Sequence, residues 1–166
     1  GQTYCYKLTS SISTGAGSCE SAASNVLCAT PAASGQAVLG VQDPLSTGSW
    51  VREGKGKNAT ETFVTGNTFN VGDAVVIQGV VTGADATLSG AVMEVTVSSA
   101  GGAIATLTTA PSDTLGRFEV TWQTQAPNKK GNGGTDPGAY SASVTNATLE
   151  AYSWDGIAAA VGFTLE

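Results

Sequence analysis

Apolar and polar residues alternate most regularly between positions 117 and 123, where Phe118, Val120 and Trp122 are interleaved with Glu119, Thr121 and Gln123. A period of two puts the first set on one face of a strand and the second on the other, which predicts one face in a core and one toward water. The preceding "SDTLG" supplies the turn that leads into it. The same period appears in "AVMEVTV" (91–97), where Met93, Val95 and Val97 oppose Val92, Glu94 and Thr96. Further strands are predicted at "ETFV" (61–64), at "AVVIQGVVT" (74–82, entered through "NVGD") and at "AIATLTT" (103–109, after a Gly101-Gly102 hairpin loop). Beyond a polar loop at 126–138, "AYSASVTNATL" (139–149) turns Tyr140, Ala142 and Val144 inward. "AAAVGFTLE" (158–166) does the same with Val161, Phe163 and Leu165. Strands recurring every ~8–12 residues without helical periodicity predict an all-β chain folded as an antiparallel sandwich.

The first third has a different texture. Residues 1–57 are rich in Ser, Ala, Gly and Thr and poor in large apolar side chains, and "REGKGKNAT" (52–60) reads as an exposed connector. Two parts are therefore expected: a cysteine-bearing N-terminal region at 1–57 and a sandwich at 58–166. Within the first, "TYCYKLT" (3–9) and "QAVLGVQ" (36–42) predict strands and "CESAASNVLCA" (19–29) a short helical turn started by Ser18. Such a region buries little on its own. A disulfide among Cys5, Cys19 and Cys28, docking onto a neighbouring copy with one of its two strands added to an open sheet edge, or both, would tie it down, against the plainer reading that the third cysteine is buried and the segment packs on its own domain.

Composition narrows the partners. Only 12% of the 166 residues are charged, and 13 acidic against 7 basic residues give a net charge of −6. The basic residues form no stripe, so nucleic acid is not expected as a partner. No apolar run reaches the ~20 residues of a membrane helix, so no membrane span is expected. Three cysteines suit one disulfide plus a spare thiol, which in a secreted chain invites an intermolecular link. An extracellular or cell-surface location is the expectation. Asn58 and Asn146 head N-x-[ST] sequons and are the glycosylation candidates.

The catalytic inventory is thin. The chain has no histidine, which removes Ser-His-Asp and Cys-His schemes and the usual zinc enzymes. The cysteines lack the close spacing of a zinc clip, and no phosphate-binding glycine motif occurs. Glu94 and Glu119 are the carboxylates that a glycosidase reading would need, against the plainer reading of solvated strand faces. Asp113, Asp136 and Asp155 belong to turns, with a calcium site built from turn oxygens as the sharper alternative. No catalytic residue, metal or cofactor is assigned. Trp122 is in phase with the core, whereas Trp50 and Trp154 lie near turns, where packing against loops is the plainer reading and an exposed ring stacking on a sugar the sharper one.

"FNVGDAVVIQGVV", "LSGAVMEVTV", "SDTLGRFEVTWQT", "DPGAYSASVTNATLEAYSWDG" and the terminal "VGFTLE" together resemble the accessory immunoglobulin-like modules of secreted and surface proteins of bacteria and archaea. The matching positions are Gly72-Asp73, Gly90-Ala91, Asp113 to Gly116, Trp122, and Pro137-Gly138 with Tyr140, over about residues 61–166. No cysteine follows Cys28, so the inter-sheet disulfide of antibody domains is excluded. The resemblance implies a spacer, stalk, adhesive unit or polymer building block with no shared active site. The expected function is a non-catalytic extracellular structural protein, a self-associating subunit of a surface filament that pairs head-to-tail with other copies of itself. The alternative is a module that binds surface polysaccharide through Trp50, Tyr152 and Trp154.

Overall fold

The computed structural model describes residues 4–14, 17–22, 24, 26–29, 37–54, 59–84 and 86–166. Among them every regular element is a β-strand. None of them forms a helix long and apolar enough to cross a membrane. The chain divides into two compact units, Gly1–Gln36 and Ala37–Glu166.

The first unit holds β1 (Tyr4–Tyr6), β2 (Ser11–Thr14), β3 (Gly17–Glu20) and β4 (Leu27–Ala29). β2 pairs with β3 and β1 with β4, so the two antiparallel pairs are nested in one long hairpin. Between them, serines continue the ladder. Ser21 Oγ accepts the Ser10 N–H and Ser24 Oγ the Leu8 N–H, while the Ser21 and Ser24 amides donate to the Ser10 and Leu8 carbonyls. Among the described residues of 19–29 the expected helical turn is replaced by strand pairing, because Ser side chains here satisfy an extended partner's backbone instead of capping a helix.

The second unit contains β5 (Ala37–Val41), β6 (Ser46–Glu53), β7 (Thr60–Thr65), β8 (Thr68–Phe69), β9 (Ala74–Thr82), β10 (Val92–Ser99), β11 (Gly102–Thr108), β12 (Arg117–Gln123), β13 (Gly138–Thr148), β14 (Tyr152–Trp154) and β15 (Ala160–Leu165). One sheet runs β11-β10-β13-β15-β8. The other is centred on β9, which pairs with β12 along one edge and shares its other edge between β5 and β6. β14 flanks β5 and β7 flanks β6. Both sheets are mixed, because β15–β8 and β14–β5 are parallel pairs, and neither closes into a barrel.

The two sheets share one core. Val75, Ile77, Phe118 and Trp122 come from the β9 sheet and Met93, Val95, Tyr140, Val144 and Phe163 from the sheet of β10, β13 and β15, all buried in a single cluster. Trp122 lies against the rings of both Tyr140 and Phe163, with centroids 5.3 and 6.0 Å away. The Tyr140 hydroxyl donates to the Asp136 carbonyl four residues upstream. Burial, and secondarily the Asp136 charge, raises its pKa above the ordinary value. The expected phase holds at Met93, Val95, Val97, Tyr140, Ala142 and Val144, all buried, and is softer at Val120 and Val161, which are half-buried. "SDTLG" turns as expected: Asp113 Oδ1 accepts the amides of Leu115 and Arg117.

Three expectations need correction. The boundary between units falls at 36/37 instead of 57/58, because β5 and β6 belong to the sandwich and pair with β9. The "REGKGKNAT" stretch accordingly joins the paired strands β6 and β7, whose last partners are Glu53 and Thr60. Small residues at 37–53 had suggested a missing core, but close approach requires them. A Cβ on Gly48 would collide with the Val64 carbonyl and the Phe63 ring, and one on Gly40 would lie 2.7 Å from Asp155 Oδ2. Finally, the hairpin loop after β10 turns at Ala100-Gly101, and Gly102 already pairs with Ser99.

Candidate functional site

Residues of the β9 sheet that do not face the core face water, and on that outer face four strands meet. The register aligns Trp50 of β6 with Phe63 of β7, Ser46 of β6 with Gln78 of β9, and Gln78 with Glu119 of β12. Gly48 leaves room for the Phe63 ring to approach β6 closely, and Phe63 meets Trp50 edge-to-face at 5.5 Å. The Trp50 indole N–H points to the Glu119 carboxylate, 3.2 and 3.1 Å from its two oxygens. The Gln78 side-chain amide donates to Glu119 Oε2 at 2.6 Å. Glu119, expected to be solvated, is thus half-buried and holds the Trp50 ring by its edge. Trp50 nevertheless remains 48% exposed.

These side chains line an open groove of about 630 Å³, together with Gln42, Pro44, Asp113, Arg117 and Phe118 among others. Arg117 approaches Asp113, with Nε 3.6 Å from Oδ2. The groove therefore offers an exposed aromatic face, two amide side chains and carboxylates with open lone pairs. That mixture suits a ligand with an apolar face and a rim of hydroxyls.

The other candidates are placed apart from it. Trp154 lies on β14 opposite Leu39 and packs half-buried against the core, with its indole N–H buried and unpaired. Tyr152 is half-buried and lines a separate shallow depression with Glu150 and Thr148. Of the three aromatic residues expected to bind carbohydrate, only Trp50 belongs to the groove. Glu94 is on β10 of the opposite sheet, pointing away from the core that Met93 and Val95 enter, so it does not meet Glu119.

Among the described residues no three acidic or cysteine side chains gather as a metal site. Asp113 and Asp155 instead close their own turns, Asp155 Oδ1 accepting the Ile157 amide. Asn146 is half-buried in β13 opposite Glu94, and Asn58 lies outside the described residues. In the first unit the register sets Cys5 directly across from Cys28, while Cys19 faces Ile12 in the other strand pair. Phe63, Gln78 and Gly48 were not legible as site residues, since "ETFV" and "VVIQGVV" read as plain strands. Comparison with protein-family models, with curated proteins and with solved structures gives no match to this chain, and the groove is read from its own chemistry.

Proposed function

We propose that the chain is a non-catalytic extracellular module of immunoglobulin-like type that binds carbohydrate in the groove around Trp50. The observation that carries the reading is a tryptophan whose indole is fixed at its edge by Glu119 while the residue stays 48% exposed. A ring held rigid in water loses little freedom on binding, so stacking on the apolar face of a sugar gains affinity at low entropic cost. Gln42, Gln78 and the carboxylates would meet the sugar hydroxyls. The immunoglobulin-like assignment is supported by the strand order of the two sheets and by the Tyr140 hydroxyl returning to the Asp136 carbonyl at the start of β13, a bond typical of such sandwiches. The low charge content and the three early cysteines favour an extracellular setting. Titration with soluble polysaccharides, followed by tryptophan fluorescence, tests the proposal. A saturable change in the wild type that is lost in Trp50→Ala is expected, and an unchanged response in the variant would contradict it.

A second reading, a self-associating filament subunit, draws on the first unit. Tyr6, Leu8 and Val26 of the hairpin are largely exposed, and a two-stranded hairpin is marginal alone. Strand donation by "TYCYKLT" or "QAVLGVQ" has less support, since β1 is paired with β4, and β5 with β9 and β14. We infer that a Cys5–Cys28 disulfide staples the hairpin, leaving Cys19 as the thiol for a link between copies. Non-reducing peptide mapping should recover Cys5 joined to Cys28, and sedimentation without reductant should give single chains if the hairpin does not mediate assembly.

A further inference from the structure

Among the described residues of the outer face, the charged side chains differ in whether an opposite charge stands beside them. Arg117 is countered by Asp113, the sole ion pair among the described residues. Arg52, next outward-facing residue on β6 after Trp50, has Glu61 as its register partner on β7. Among the described residues Glu119 has no ion-pair partner. Its hydrogen-bond donors, Trp50 Nε1 and Gln78 Nε2, are both neutral. An uncompensated carboxylate therefore stands in the groove at the edge of the exposed indole.

A carboxylate has about four lone-pair sites, and the two neutral donors leave some of them open. Sugar hydroxyls would donate to these, forming charge-assisted bonds that are stronger than neutral ones. A uronate or sulfate in the same position would bring a like charge against Glu119, which among the described residues has no ion-pair partner, while the groove's Arg117 is already countered by Asp113. We propose that the groove selects uncharged glycans and rejects acidic ones, and that Glu119 is the residue that sets this discrimination. The inference rests on the carbohydrate reading of the groove and adds the ligand class to it.

The test compares galactomannan and soluble β-glucan with alginate and hyaluronan by affinity electrophoresis at low ionic strength, using the wild type, Glu119→Gln, Glu119→Lys and Trp50→Ala. Glu119→Gln keeps an acceptor for the Trp50 and Gln78 donors while removing the charge. The wild type should be retarded by at least one neutral glycan and bind alginate about five-fold more weakly or worse. In Glu119→Gln the ratio of acidic to neutral binding should rise about five-fold, and Glu119→Lys should raise it further. Equal binding of neutral and acidic glycans by the wild type, abolished in Trp50→Ala, would overturn the selectivity and leave the groove standing. An unchanged ratio in both Glu119 variants would also overturn it. Binding of no glycan at all would overturn both readings.

Discussion

Trp122 and Trp50 belong to one sheet and occupy its two faces. Trp122, 7% exposed, is enclosed by Tyr140 and Phe163 from the opposite sheet. Trp50, 48% exposed, has one aromatic neighbour and a carboxylate. The same side chain thus serves cohesion where a second sheet covers it and is left for recognition where none does. What separates the two is the ring's partners: the inner ring packs against Tyr140 and Phe163 of the opposite sheet, whereas the outer one is held at its edge by a hydrogen bond and keeps much of its surface open.

The largest effect should follow Trp122→Ala, which empties the centre of the core and should lower stability by about 3–5 kcal/mol in denaturant melts. A loss under about 1 kcal/mol would break the contrast between the faces. Next comes Gly48→Val. Its side chain has no room beneath the Phe63 ring and the Val64 carbonyl, so a cost of about 1–3 kcal/mol is expected, together with weaker glycan retardation as the Trp50–Phe63 pair shifts.

Tyr140→Phe removes one buried hydrogen bond and should cost about 1 kcal/mol near neutral pH. It also sharpens the account through pH. Because the folded state raises the Tyr140 pKa, it holds that proton more tightly than the unfolded chain does. The resulting stability is complete below the unfolded value of ~10 and is lost as pH rises through the folded one. Alkaline melts of the wild type should therefore fall away more steeply than those of Tyr140→Phe, and parallel curves would contradict this. The smallest effect on stability belongs to Trp50→Ala, within about 1 kcal/mol, since its ring covers little of the core.

The inner face was legible in the chain because a period of two marks which side chains enter a core. Met93, Val95, Val97, Phe118, Trp122, Tyr140 and Val144 all follow it. β6 escaped for a physical reason: "STGSWVRE" has Thr47 and Gly48 buried in succession and then only partly buried or exposed residues, because it leaves β9 after Gly48 and continues as a two-stranded hairpin with β7. β8 and β14 are two and three residues long, too short to carry a pattern. The groove was only partly legible. Trp50 and Glu119 stood out individually, but they are 69 residues apart, and their meeting depends on the register of β6, β9 and β12. Glu119 consequently drew attention as half of a carboxylate pair, when its neighbours are an indole and an amide.

The central claim is that the uncovered face of the β9 sheet recognises a glycan while the covered face holds the fold. Its most direct test is affinity electrophoresis of wild type and Trp50→Ala in one gel containing galactomannan or soluble β-glucan, with circular dichroism confirming that both are folded. Retardation of the wild type and free migration of the folded variant is the predicted result. Equal migration of the two in every neutral glycan would contradict it.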